Sequence, residues 1–171
     1  RMDSSEEIKS ILRVNHAGEL GAQQIYKAQR KILGDDPDLV FMAEQEIEHL
    51  KTFTKLMIEN KVQPTTFQPL WHLLSYGMGA VTALMGKRAA HACTIAVEEV
   101  IVEHYQQQIN VLKEFPEQKS LLDTIQQFQK EEDHHRAIAE QGGGREIKGF
   151  EILSKVVKTI TETAIKISKK V

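Results

Sequence analysis

The chain of 171 residues predicts an all-α fold: a four-helix bundle with a long helical crossover and a C-terminal amphipathic helix. Three observations predict it. Long stretches run without Pro or Gly and carry apolar residues at intervals of three and four, the period of an amphipathic helix. Glu46 and His49 lie within such a stretch, and their spacing puts both side chains on one helix face with Leu39, Met42, Leu50, Phe53 and Met57 close by. The same Glu-x-x-His spacing recurs late in the chain, so the sequence reads as a duplicated helical hairpin.

Size and charge bound the answer further. At 19.4 kDa the chain is expected to form one domain spanning residues 1–171, long enough to bury a core. A net charge of −2 gives no general attraction to nucleic acid, which is not an expected partner. The single Cys93 excludes an internal disulfide framework and a Cys-rich zinc site, and suits a reducing compartment. No signal peptide and no confident membrane span are legible. Because it opens at Arg1 rather than Met, the chain is expected to be trimmed or processed, with an earlier targeting segment left open.

The first helix is predicted over Ser4–Leu33, with Ser4 or Ser5 as N-cap before Glu6 and Glu7. Leu12, Glu19, Tyr26 and Leu33 recur at sevens, so Glu19 occupies the middle of a core face where a plain bundle would place Leu. Gly18 and Gly21 flank it, reading either as a close helix approach or as room for a ligand. A turn at Gly34–Pro37, capped by Asp35 or Asp36, opens a second helix to about Asn60. It carries Glu46 and His49, whereas Glu44 and Glu48 fall on its solvated side.

Residues 64–86 differ in kind. Pro69 to Met85 is 17 residues without a charge, short of the roughly 20 needed for a span. It is expected to be an interfacial crossover helix with Trp71 and Tyr76 near lipid headgroups, the alternative being a buried connector. A long connection between second and third bundle helices is what a ferritin-like bundle requires.

The third helix is predicted from Lys87 to about Phe115. Its stripe of His91, Ile95, Glu98, Ile101, Val102, Tyr105, Ile109 and Leu112 again has a glutamate near the middle, while Glu99 and Glu103 face the polar side. Tyr105 follows Glu98 by seven, as Tyr26 follows Glu19. Pro116 is expected to open the fourth helix, which Gly142-Gly-Gly144 stops near Gln141. There the register is ambiguous. Glu131/His134 and Glu132/His135 have equal spacing, and the stripe of Leu121, Ile125, Phe128 and Ile138 does not choose between them. Residues 146–171 read as an amphipathic helix, and from Arg145 onward seven Lys/Arg face three Glu. That suits either anionic lipid or packing on the bundle with a basic outside.

Burying an unpaired carboxylate costs several kcal/mol or more. Four carboxylates and two imidazoles projecting inward from four helices match the ligand set of di-iron and di-manganese bundles, where two divalent ions neutralise the charge. Oxygen and nitrogen donors without thiolate suit Fe or Mn. His16, His72, His91, His104 and His135, taken singly, read as surface or satisfied core residues; His104 and Tyr105 are the best candidates for contact with the ligands. The structural alternative is a helical module with incidental surface Glu and His.

These residues resemble the 5-demethoxyubiquinone hydroxylase family, membrane-associated di-iron enzymes of ubiquinone biosynthesis. The resemblance runs from about Leu12 to His135. It rests on Arg13-Val-Asn-His-Ala-Gly-Glu19, Pro69-Leu-Trp71, Ala92-Cys-Thr-Ile-Ala-Val-Glu-Glu99 with His104-Tyr105, and Glu131-Glu-Asp-His-His135. It implies metal ligands at Glu19, Glu46, His49, Glu98, Glu131 and His134, and so selects one register of the fourth helix. It also implies that His104-Tyr105 pass electrons toward iron. After Ala139 the match weakens.

The implied reaction inserts one oxygen atom of O2 into a C–H position of a polyprenylated quinone ring and releases water. Two Fe ions form the centre, and two electrons come from NADH or from the reduced quinol. The expected partners are the quinone, a membrane surface and a lipid-binding protein of the quinone pathway, with homo-oligomerisation left open. The expected location is peripheral: the matrix side of the mitochondrial inner membrane in a eukaryote, or the cytoplasmic face of the cell membrane in a bacterium. The alternatives are a ferritin- or bacterioferritin-like bundle for iron oxidation or storage, another di-iron oxidase, or a di-manganese catalase.

Overall fold

The computed structural model describes residues 4–171. Six α-helices follow in order: α1 Ser4–Leu33, α2 Pro37–Glu59, α3 Gln68–Leu84, α4 Lys87–Leu112, α5 Lys119–Gln141 and α6 Phe150–Lys170, with no strand among the described residues. The amphipathic period therefore delivers the expected elements. Asp36 caps α2 by accepting the Asp38 amide at 3.0 Å, and Pro37 occupies the first turn, where its missing N–H costs nothing.

α1, α2, α4 and α5 form the bundle. α2 packs on α1 and α5 on α4, as two hairpins. α1 and α4 run antiparallel across the middle: Asn15 meets Gln108 and Tyr26 meets Glu98, so partners rise in number on one helix as they fall on the other. Leu12, Ile25, Phe53, Ile101, Ile125 and Phe128 belong to one buried cluster that joins all four helices.

Two boundaries differ from expectation. Pro116 lies in a 3-10 turn, Pro116–Gln118, so α5 begins at Lys119. α6 begins at Phe150 rather than Glu146. Gly143 and Gly149 have φ of 86° and 81°, in the left-handed region that breaks a right-handed helix, with a 3-10 turn over Gly144–Glu146 between them.

α3 and α6 lie outside the bundle, against α1 and α4. α3 approaches α1 closely at Gly79, where an added Cβ would sit 2.5 Å from the Ile25 carbonyl oxygen. No larger residue fits there. Trp71, expected near lipid headgroups, is instead buried, and Tyr76 is half-buried. The outer side of α3 is apolar: Leu70, Leu73, Val81 and Leu84 are exposed along one stripe at intervals of three, eight and three. Among the described residues, no helix is long and apolar enough to cross a membrane.

α6 is an integral wall of the fold. The Glu99 carboxylate accepts from Lys158 Nζ at 2.5 Å and from Arg145, so two cations of the last segment converge on α4. Burial works against the Glu99 charge, but Lys158 and Arg145 prevail and hold its carboxyl below the usual range. Glu99 thus faces away from the bundle axis as expected, yet it is covered rather than solvated. At the far end the Val171 carbonyl accepts from Thr65 Oγ1 and the Thr66 amide, tying α6 to the segment before α3.

Candidate metal centre

The two hairpins bring six acidic and imidazole side chains to one buried point. α1 supplies Glu19, α2 Glu46 and His49, α4 Glu98, and α5 Glu132 and His135, all at most 2 % exposed. They form two overlapping groups, each with ligand atoms within 4.8 Å of one another: Glu19, Glu46, His49 and Glu132; and Glu46, Glu98, Glu132 and His135. Glu46 and Glu132 belong to both.

Each shared carboxylate divides its oxygens between the groups. Glu132 Oε1 is 2.7 Å from His49 Nδ1, and its Oε2 is 3.6 Å from His135 Nδ1. Glu46 Oε2 is 3.6 Å from His49 Nδ1, and its Oε1 is 3.2 Å from His135 Nδ1. Glu19 Oε2 completes the first group at 3.4 Å from His49 Nδ1, and Glu98 Oε1 the second at 3.8 Å from His135 Nδ1.

Glu131 and His134, which the resemblance implied as ligands, are not in the cluster. His134 is exposed beside the Phe41 ring, and the Glu131 side chain is 24 % exposed. The reason is helical phase. The buried positions of α5 are Leu121, Ile125, Phe128, Glu132, His135 and Ala139, a strict alternation of four and three. Glu132 and His135 continue that stripe, and Glu131 and His134 fall one residue off it. The sequence held this signal at Ala139; reading Ile138 as the end of the stripe hid it.

The tyrosines that follow each isolated glutamate by seven are buried and crossed between helices. Tyr105 of α4 donates to Glu19 Oε1 of α1 at 2.5 Å, and Tyr26 of α1 donates to Glu98 Oε1 of α4 at 3.2 Å. Burial, reinforced by the nearby carboxylates, pushes both phenols up, so they remain donors. His104 is placed otherwise. It makes no hydrogen bond to the cluster; its Nε2 lies 2.9 Å from Gln108 Nε2, which must donate, and Gln108 in turn pairs reciprocally with Asn15 at 2.8 Å. Burial and Lys169 lower the His104 pKa to about 4, so the ring is neutral.

The donor set fits divalent metal on an observation independent of motif. Glu19 Oε2, both Glu46 oxygens, Glu98 Oε2, Glu132 Oε1, His49 Nδ1 and His135 Nδ1 are buried and have no hydrogen-bond partner. Orphaned polar atoms of this kind are costly unless something else engages them. Burial and neighbouring carboxylates raise the pKa values of Glu46 and Glu98. Burial opposes charge on His49 and His135, yet the surrounding glutamates outweigh it and raise both. Two divalent ions would engage the same oxygens and nitrogens directly.

An apolar pocket lies between α1, α3, α4 and α6; none of the six cluster residues lines it, but Gly18 and Val97, which precede Glu19 and Glu98, do. Gly18, Gly21 and Ala22 of α1 form one side, next to the turn that carries Glu19. Trp71 and Met78 of α3, Val97 and Ile101 of α4, and Ile160 and Ala164 of α6 form the others. The close-approach reading of the α1 glycines holds, since a Cβ on Gly21 would meet Ser75 Oγ at 2.9 Å; the same glycines line the pocket.

Inward Glu and Glu-x-x-His residues from facing helices, a side-chain set that could hold metal, are the pattern of the carboxylate-rich bundle class. Within it, the chain belongs to the family of the ubiquinone biosynthesis protein COQ7, whose model matches residues 6–168. It is 39% identical over 168 residues to the human NADPH-dependent 3-demethoxyubiquinone 3-hydroxylase, mitochondrial, covering 95% of this chain and 77% of that protein. It is 40% identical over 168 residues to the Rhodospirillum rubrum 3-demethoxyubiquinol 3-hydroxylase, covering 96% of this chain and 78% of that protein. It is 37% identical over 173 residues to the Saccharomyces cerevisiae 5-demethoxyubiquinone hydroxylase, mitochondrial, covering 91% of this chain and 74% of that protein.

Proposed function

We propose that this chain hydroxylates the ring of a polyprenylated demethoxyubiquinone, using O2, two electrons and a pair of iron ions. The observation that carries this reading is the set of buried, unpartnered Glu and His atoms, on the same α1–α4 pair that lines an apolar pocket. Family membership selects the substrate class. A storage bundle would share the ligand set but has no use for that pocket.

Glu19 and His49 would hold one ion, Glu98 and His135 the other, with Glu46 and Glu132 shared between them. When bound, two ferrous ions supply the redox chemistry that activates O2 for insertion into a C–H bond. The chain's own work is positional. Tyr105 and Tyr26 orient the terminal carboxylates through their hydroxyls. The burial of all six ligands keeps bulk water from the reacting region. The pocket takes the quinone ring and the first part of its apolar tail, with α3 and α6 as side walls.

The outer stripe of α3 is the surface through which the protein would sit on a membrane, presenting the pocket to substrate dissolved in lipid. Names of several relatives specify NADPH or a mitochondrial location; a nicotinamide donor and a peripheral position on the inner membrane are the corresponding expectations here, with the quinol form of the substrate as the other electron source.

The test is a single turnover. Iron-loaded protein is reduced anaerobically with demethoxyubiquinone present, exposed to 18O2, and the quinone is analysed by mass. One 18O atom in a hydroxylated ring is expected. Iron oxidation with unchanged quinone contradicts the reading and favours an iron-oxidising bundle.

A further inference from the structure

The residue before each glutamate of the two Glu-x-x-His pairs reaches across to the histidine of the other pair. Gln45, before Glu46 on α2, places Oε1 2.6 Å from His135 Nε2 on α5. Glu131, before Glu132 on α5, places Oε2 3.3 Å from His49 Nε2 on α2. Both histidines turn Nδ1 into the cluster, so Nε2 is the outer nitrogen in each case. A neutral imidazole that gives Nδ1 to a metal carries its proton on Nε2, and the acceptor found there fixes the tautomer and tunes the ligand.

The two positions are equivalent in the duplicated hairpin but differ in chemistry. Around the cluster, each half contributes a terminal glutamate with a tyrosine donor, a histidine, and a share of Glu46 and Glu132. At the outer acceptor the halves part: Gln45 offers a neutral amide oxygen, Glu131 a carboxylate. No lysine or arginine among the described residues pairs with Glu131; its Oε1 accepts only from Gln127 Nε2, at 3.4 Å. Its negative charge is therefore directed largely at the His49 N–H. A carboxylate acceptor makes the imidazole a stronger donor to a cation than an amide does.

We infer that Glu131 is a positioning residue that makes the two metal subsites unequal, the Glu19–His49 subsite binding a divalent cation more tightly than the Glu98–His135 subsite. This rests on the two-metal reading proposed above. It also gives the residue that the family pattern had implied as a ligand a role one step outward, through His49.

Anaerobic titration of the full chain with Co2+, followed by visible absorption, and with Fe2+, followed by equilibrium dialysis, tests the inference. The wild type should fill in two resolved steps. Glu131→Gln should weaken the tighter step by roughly 10- to 100-fold and leave the other in place. Gln45→Glu should tighten the weaker step, which keeps the inference open to refutation should Glu131→Gln fold poorly. Thermal melts of the metal-free variants matching the wild type separate ligand tuning from general loosening. Two ions bound with equal affinity, or both steps weakened alike in Glu131→Gln, overturns the inequality while leaving the two-metal reading intact. No bound ion in the wild type overturns both.

Discussion

Glu132 of α5 places Oε1 2.7 Å from His49 Nδ1 of α2. This buried contact joins the second hairpin to the first, and it puts Glu132 rather than its neighbour Glu131 on the nitrogen that faces the cluster. Glu132→Ala should therefore lower metal stoichiometry below two per chain even at saturating metal, because both subsites lose an oxygen. Glu131→Ala should retain two ions at saturation. Metal analysis after desalting checks the pair, and the reverse pattern would restore Glu131 as the ligand.

Glu98 and Glu99 are adjacent but face opposite sides of α4. Glu98→Ala should abolish loading of the His135 subsite. Glu99→Ala should leave stoichiometry unchanged and instead release Arg145 and Lys158, costing about 1 kcal/mol because these pairs are partly exposed. Metal content together with denaturant unfolding separates the two effects. Equal metal loss in both variants contradicts the placement.

His104 supplies a pH dependence whose sign is fixed. Its folded pKa is lowered to about 4 from the ordinary histidine value of 6.5, so between those values the unfolded chain binds the proton and the folded chain does not. Stability from this residue is present above pH 6.5 and is lost as pH falls toward 4. The loss should approach about 3 kcal/mol. His104→Gln should remove that component, so the stability gap between wild type and variant should narrow or reverse between pH 7 and pH 4. Parallel curves from urea unfolding across that range would contradict the placement of His104.

The exposed leucines of α3 can be altered without touching the core, since Leu73 and Leu84 are 70% and 74% exposed. The double variant Leu73→Asp, Leu84→Asp should bind liposomes at least tenfold more weakly while keeping its metal content. This is a sharper test of membrane attachment than removing residues 146–171, because α6 packs on α4 and α1 and its loss would open the pocket. Unchanged flotation of the double variant would place the membrane contact elsewhere.

Much of this architecture was legible in the sequence because it depends on period. The apolar intervals gave the helices, Asp36-Pro37 gave the start of α2, and Glu19 and Glu98 stood out as charges in apolar stripes. The crossed tyrosines were visible only as a repeated spacing of seven; that each serves the other helix follows from the antiparallel pairing of α1 with α4, which no local pattern encodes. The register of α5 was recoverable from Ala139 but not from Ile138, since a half-buried residue at the end of a stripe shifts its apparent phase. Trp71 turned inward because α3 is pinned to α1 at Gly79, a tertiary contact its own composition does not reveal. That Lys158 of α6 and Arg145 of the turn before it meet protein was likewise hidden until Glu99 was seen beneath both.

The most direct measurement of the central claim is anomalous diffraction from crystals of the protein loaded anaerobically with Fe2+. Two peaks are expected roughly 3.5–4 Å apart, each beside one histidine Nδ1, of His49 and of His135, with Glu46 and Glu132 lying between them. A single peak at Glu131 and His134, or none among the six buried side chains, would contradict it.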